Sequence, residues 1–472
     1  LELARNAEDG PAEAASLEGI GRVLRMRGLY REALATLDSA GLLYAREGDA
    51  AGEARAAAVS GRIYHREGNA QEGLDRIEQV LRRLSRAIPA ILLAELVAIT
   101  AHLHWLLGHN EESLRFAEEA SRLARALGED PQAELVLADA EMRRGVLYWE
   151  MGHADESRRI LETARPIAER AGDLVVLGVM AQGLARDYES LGDPERTLAL
   201  KHEAVAIAER MGNPGEIALY LSFTCPTLVR MGRQSEARQN LHRAEALARL
   251  IDPNWLTATV AAGAGWFHIE MGEWTEAVQS FEAAARDAQG ATLHGTVLWA
   301  LAGLAWIDIL HGRPEPARDR MEPLLQSSGT GRTHTAWMLL ILGMAHSAMG
   351  DDTLAASMTA QAVELADTRA PSDGYMRIQA RRARAIVLLG VRRFADALDS
   401  TDDALSIART MRLTWEEALM LETRGDVLAR AGNNEGARAS FQAALRIFTL
   451  LQAGCHVDRV ERALASTESG QP

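Results

Sequence analysis

Apolar and polar residues follow helical spacing through almost the whole chain. In "LTATVAAGAGWFHIEMG" (256–272) and "AVQSFEAAARDA" (277–288), apolar side chains recur at steps of three and four and so line one face of a helix. Segments of this kind run to about 16 residues, roughly 24 Å at about 1.5 Å per residue. They alternate with short polar breaks that carry a glycine.

The breaks are periodic. Glycines at 28, 68, 108, 152, 192, 232, 272, 312, 350, 390 and 432 are separated by 38 to 44 residues, most often 40. Seven residues before them stand Gly21, Gly61, Ala101, Gly145, Ala185, Cys225, Gly265, Ala305, Gly343, Ala383 and Gly425, all small. Five residues after come Ala33, Gly73, Ser113, Ser157, Thr197, Ala237, Ala277, Ala317 and Ala355, then Ala437. Twelve after come Ala40, Ala120, Ala164, Ala204, Ala244, Ala284, Ala362 and Ala444. A two-residue insertion in the Gly390 unit makes Ala397 and Ala404 the matching positions there. Small residues at fixed sites let two helix backbones approach closely and set their crossing. Each unit therefore reads as a helix, a tight turn at the glycine and a second helix, which stops at Gly48, Gly128, Gly172, Gly212 or Asp252.

With Tyr64, Tyr148 and Tyr188 four residues before their glycines, this order of sites resembles the tetratricopeptide repeat family, in the long variety of about 40 residues per unit. The resemblance implies an all-α fold, a right-handed α-solenoid of about eleven antiparallel helix pairs, each burying its apolar faces against its neighbours. Residues 1–9 are then the tail of a preceding repeat helix, 10–452 the eleven pairs, 453–467 a capping helix and 468–472 a disordered tail. "LARNAEDGPAE" (3–13) parallels "LARALGEDPQAE" (123–134), which reads the chain as a piece of a longer protein. Lys201 and Asp399 stand where the family has apolar residues, so their helices are expected to pack loosely. Pro166, Pro226 and Pro323 fall inside helices, and Pro226 frees the carbonyl of Ser222. "QSSGTGRTHT" (326–335) is the least helix-like stretch.

Composition narrows function. Net charge is −15, and Lys201 is the one lysine among 51 basic residues; no basic stripe is present to release counterions, which argues against nucleic acid. Cys225 and Cys455 form neither a CxxC nor a disulfide framework, and a reducing cytoplasm is the expected compartment. The most apolar run, "AIPAILLAELVAI" (87–99), is too short for a bilayer and contains Pro89 and Glu95.

No motif for chemistry emerges. GxxxxGK[ST], GxSxG and HExxH are absent, and "HEAVA" (202–206) lacks a second histidine. His102, His104 and His109 cluster in sequence; His102 and His109 share a helix face, with His104 rotated away, so no metal site is expected. Carboxylate pairs such as Glu111/Glu112 and Glu416/Glu417 suit exposed faces or helix starts. The expectation is a non-enzyme with no cofactor.

In the resembled fold the first helix of each pair lines a concave groove. Inward positions lie thirteen, ten, six, three and two residues before each turn glycine. They select His102, Trp105, Met142, Trp149, Gln182, Arg186, Ser222 with its neighbour Phe223, Trp266, Trp299, Trp306 and Trp337. An aromatic band there offers stacking to a sugar, an apolar molecule or a partner helix. Alternatively, the tryptophans fill gaps between long helices, since a one-residue change of register would bury several.

Long repeats of this kind resemble the sensor regions of bacterial STAND-type ATPase and transcription regulators, and "FTLLQAGCHVDRVERALA" is similar to their closing segment. This implies a sensor domain that binds a protein, peptide or small-molecule effector in its groove. Its missing amino-terminal domain would bind nucleotide. A pure protein scaffold is the first alternative and a peptide-binding quorum-sensing-type receptor the second.

Overall fold

The computed structural model describes the chain except residues 8, 28, 68, 85, 252–253, 288–293, 327–331, 370, 372 and 470–472. Among the described residues there are twenty-four helices and no strand. They are α1 (Glu2–Asn6), α2 (Gly10–Met26), α3 (Tyr30–Glu47), α4 (Ala50–Glu67), α5 (Ala70–Leu84), α6 (Ala90–Leu106), α7 (Asn110–Ala126), α8 (Pro131–Glu150), α9 (Ala154–Ala171), α10 (Leu174–Ser190), α11 (Pro194–Met211), α12 (Pro214–Arg230), α13 (Gln234–Ile251), α14 (Asn254–Met271), α15 (Trp274–Asp287), α16 (His294–Leu310), α17 (Pro314–Gln326), α18 (Arg332–Ala348), α19 (Asp352–Arg369), α20 (Gly374–Gly390), α21 (Phe394–Thr410), α22 (Thr414–Arg430), α23 (Asn434–Leu450) and α24 (Gly454–Ser469). Even-numbered helices from α2 to α22 are the first members of pairs: α2, α4, α6, α12, α14, α16, α18, α20 and α22 pack on the helix that follows them, α8 meets α9 where Gly145 faces Leu161, and α10 meets α11 where Glu189 accepts from Lys201. The described residues are an all-helical array of consecutive helix pairs.

The pairs form two compact units. Leu1–Leu147 with Ile160–Leu177 make the first; Tyr148–Arg159, Gly178–Gln289 and Leu293–Pro472, the undescribed residues aside, make the second.

The small-residue sites explain the pairing. A Cβ added to Gly21, Gly61, Gly145, Gly265, Gly343 or Gly425 would stand 2.5 or 2.6 Å from a side-chain atom of the residue sixteen positions on: Leu37, Ile77, Leu161, Phe281, Thr359 or Phe441. The second helix thus drives a larger side chain into the gap the glycine leaves, and packing at interior density tolerates no added methyl there. Ala33, Ala237, Ala277, Ala317, Ala355 and Ala437 are fully buried, as are Ala40, Ala120, Ala204, Ala244, Ala284, Ala362 and Ala444.

The turn glycines are left-handed at 108, 152, 192, 232, 272, 312, 350 and 432; Gly28 and Gly68 lie outside the described residues. Gly390 departs from this rule. It closes α20, and the left-handed residue is Arg392, two positions on, where the insertion moves the turn and also brings Ala397 and Ala404 into the core. Several starts are capped: Asp9, Asp193, Asn213, Asp373 and Asn433 accept backbone N–H bonds from the first turns of α2, α11, α12, α20 and α23.

Two expectations change. Lys201 does not loosen α11: its stem is buried, and its ammonium donates to Thr227 Oγ1 at 2.6 Å and to Glu189 Oε2 at 3.2 Å. Asp399 is exposed, with Ala397 and Ala404 filling the core positions beside it. Pro166, Pro226 and Pro323 do lie within α9, α12 and α17. Of the stretch 326–335, residues 327–331 lie outside the described residues. The helix α24 packs on α23, α22 and α14. No helix among the described residues is long and apolar enough to cross a membrane.

Candidate functional site

In the second unit, aromatic residues on successive first helices touch one another. Trp266 on α14 meets Trp299 on α16 with ring centroids 5.8 Å apart and planes near perpendicular, and meets Trp337 on α18 at 6.5 Å. Trp337 in turn meets Tyr375 on α20 at 6.1 Å. Trp299 is 52 % exposed, whereas the other three are half-buried. The Trp266–Trp299 contact is edge-to-face, which satisfies the ring quadrupoles, and the other two are tilted.

The series ends on charge. The Arg230 guanidinium, at the end of α12, lies 4.7 Å from the Tyr375 ring centroid. Its Nε donates to Glu270 Oε1 at 3.3 Å, and its Nη1 stands 3.6 Å from Glu189 Oε1 and 3.9 Å from Glu416 Oε1. One arginine on α12 therefore gathers carboxylates from α10, α14 and α22. Glu189 also holds Lys201, so three carboxylates face two cations.

Burial and charge divide these carboxyls. Burial pushes Glu270 up to about 7 although Arg230 pulls against it, and Glu416 is raised by burial too. At Glu189 burial is overcome by Lys201 and Arg230, which hold it below its ordinary value. Burial disfavours the charge of Arg230, but Glu270, Tyr375, Glu416 and Glu189 keep it firmly protonated. Tyr375 is pushed up to about 12, chiefly by burial. Glu270 Oε2 and the Trp266 indole Nε1 are buried with no hydrogen-bond partner. They lie one helical turn apart on the same face of α14.

Turn-on-turn packing builds this site. A Cβ on Gly192 would stand 1.8 Å from the Met411 carbonyl oxygen, and one on Gly232 2.9 Å from that of Leu451. A Cβ on Gly272 would stand 2.9 Å from Cys455 Cβ. The turns closing α10, α12 and α14 thus rest on the turns after α21 and α23 and on the start of α24. Gln234 Nε2 donates to the Gln452 carbonyl at 2.7 Å, and the Cys455 thiol to that of Glu270 at 3.3 Å. The second unit turns back on itself, which is how residues 186 positions apart, Arg230 and Glu416, come to share an ion pair.

The other residues selected from sequence fall in several settings. Trp306, with Trp337, packs against the core of α16–α20. Phe223 is 38 % exposed, while Ser222 is fully buried and donates to Leu219 O at 2.7 Å. Gln182 is buried on α10, and Arg186 stacks 4.3 Å above the ring of Trp149. In the first unit Arg143 stacks 4.8 Å over Trp105 and bonds His102, whereas Met142 is buried in packing. The histidines pair differently from the expectation: His104 and His109 approach, their Nδ1 atoms 3.5 Å apart, with His104 stacked on Phe116. Helix geometry placed His102 and His109 on one face, but α6 ends at Leu106, and the turn swings His109 back towards His104.

Glu189, Arg230 and Glu270 were not selected from the sequence, although they stand at positions read there as inward, three, two and two residues before Gly192, Gly232 and Gly272. Consecutive repeats with charge at that position were the available signal. Glu416 and Tyr375 carry no such register. Two surface depressions lie elsewhere, one of about 450 Å³ lined by Gln234, Arg238, His242 and Met271, the other of about 530 Å³ lined by Asp402, Arg409, Leu421 and Arg424. Neither holds a selected residue.

No family model and no curated protein sequence matches the chain. Among solved structures it is similar to the crystal structure of the APC/C hetero-tetramer Cut9–Hcn1, with a TM-score of 0.37 and 14 % identity over 95 % of this chain and 96 % of that one. The fold class, a helical repeat solenoid, stands on the packing of its own helices.

Proposed function

We propose that the chain is a non-catalytic binding array and that its ligand lies along the first helices of the second unit, over Trp266, Trp299, Trp337 and Tyr375. The observation that carries this reading is the aromatic series itself, unbroken across four repeats and ending on charged groups. Edge-exposed rings beside unpartnered polar atoms match the composition of small-ligand sites, mostly apolar with a few convergent polar groups. The array would serve as the sensor part of a larger bacterial signalling or transcription-regulatory protein. A ligand that spans several first helices binds one curvature better than another and biases an output domain by that difference in affinity.

Tryptophan emission tests the reading. The purified array and its Trp299→Ala variant are titrated with sugars, nucleosides, amines and amino acids, and both serve as bait for protein capture. At least one compound is expected to shift the emission of the parent chain saturably and of the variant less. A protein captured equally by both, with no compound active, would leave a pure scaffold and remove the small-molecule reading.

A further inference from the structure

We infer that the second unit is a latched arc: the turns that meet between its distant repeats form a seam that parts as one, and Arg230 with Glu416 is the catch, weaker as pH rises. The catch needs no ligand, so it goes beyond the binding role proposed above.

The make-up of the seam lets it open. Gly192, Gly232 and Gly272, one turn from each of three successive repeats, rest on Met411, Leu451 and Cys455. Glycine presents no side chain, so at these contacts nothing interlocks the two sides. The neighbouring side chains Met231, Met271, Met411, Leu451 and Cys455 are half-buried, whereas Phe267 and Phe441, inside the pairs on either side, are fully buried. Less apolar surface is therefore withdrawn from water at the seam than within a pair. Each side also keeps its own pairing, α12 with α13 and α14 with α15 on one, α20 with α21 and α22 with α23 on the other. Parting breaks no repeat.

Charge makes the catch sensitive to pH. Arg230 of α12 serves Glu189 of α10 and Glu270 of α14 on its own side and reaches across to Glu416 of α22 at 3.9 Å. Glu416, only 3 % exposed, is faced by Arg230, Glu189, Glu270 and Tyr375 of α20, while Lys201 of α11 answers Glu189. When the seam parts, Arg230 keeps two carboxylates and Glu416 goes to water. Burial holds Glu416 above its ordinary value and Glu270 at about 7. Once water reaches them they ionise at ordinary values, so opening releases protons. The closed form is thus favoured at pH 5, and the open form gains towards pH 8. The rings from Trp266 to Tyr375 stand on α14 to α20, the helices that the seam spans, so parting changes the curvature on which they are set.

The two cysteines of the chain read the two processes that must be told apart. The Cys455 thiol, turned onto the Glu270 carbonyl, reports the seam; Cys225, fully buried within its repeat, reports unfolding. The whole chain is alkylated with N-ethylmaleimide from pH 5 to pH 8, and each thiol is followed by peptide mass spectrometry. The Cys455 rate is divided by that of a synthetic peptide of residues 450–460 at the same pH, which removes the effect of thiol ionisation. This ratio should rise about tenfold or more between pH 5 and pH 8 while Cys225 stays protected. In the double variant Glu270→Gln, Glu416→Gln, whose amides mimic protonated carboxyls, the rise should be at least threefold smaller. A ratio that is flat with pH, an equal rise in the double variant, or Cys225 labelled in step with Cys455 overturns the inference. The parent series alone can overturn it, so a variant that fails to fold does not remove the test. None of these outcomes bears on ligand binding, which the emission titration decides separately.

Discussion

At the residue scale the second unit stores unfavourable ionisation that pH should release. Asp187 is fully buried; Ser157 donates to its Oδ2 at 2.9 Å, and its Oδ1 has no partner. Burial raises it from 3.8 to about 7. A carboxyl raised in the folded state gives its full contribution below its unfolded value and loses it as pH rises through the folded one. Asp187→Asn should therefore melt close to the parent at pH 4 and progressively above it towards pH 8, by about 1–3 kcal/mol of stability. Thermal melts across that range check the sign. Arg230→Met has the opposite consequence. It strips the shared cation from Glu189, Glu270 and Glu416 and should cost about 3 kcal/mol or more at pH 8. The deficit should shrink towards pH 5 as the carboxyls, raised further without their partner, take up protons. Urea titrations at the two pH values measure the difference.

At the scale of elements, equivalent glycines should not be equivalent in cost. Gly192 and Gly312 are both left-handed turn residues after first helices, at φ 79° and 70°. Gly312 has nothing within 4 Å of an added Cβ, so Gly312→Ala pays only the backbone penalty of about 1–2 kcal/mol. At Gly192 the Cβ would overlap the Met411 carbonyl, and Gly192→Ala should cost clearly more than its counterpart. Equal losses in the two variants, read from denaturant midpoints, would mean that these turns do not pack on each other in solution. Arg392 shows the converse, a side-chain residue holding a left-handed turn that a neighbouring glycine would hold without strain.

For the whole molecule, each repeat depends on its neighbours, and the second unit adds contacts between distant repeats. The buried Val460 and the half-buried Val457, Ala463 and Leu464 of α24 belong to the core that unites α22 and α23 with Leu228, Leu241 and Phe267. Removing residues 454–472 should raise amide exchange in α14, α22 and α23 and leave α2 to α7 unchanged. Hydrogen exchange by mass spectrometry resolves those helices. Uniform protection after truncation would show that the terminal helix is not part of that core.

The period of glycines and small residues alone was enough to determine helices, pairs and turns, because a close helix crossing demands a small residue wherever it recurs. At such crossings Gly265 meets Phe281 and Gly425 meets Phe441, partners that the small-residue pattern did not name. Local order also selected Trp266, Trp299 and Trp337, rings that the fold brings into contact. The sequence did not determine which repeats far apart would touch. Packing of the turns at Gly192, Gly232 and Gly272 on Met411, Leu451 and Cys455 depends on the accumulated angle of many helix crossings, and no single residue encodes it. Arg230 therefore looks in sequence like any charge at a helix end. Only the tertiary structure surrounds it with Glu189, Glu270, Glu416 and Tyr375, where low dielectric turns ordinary side chains into a site.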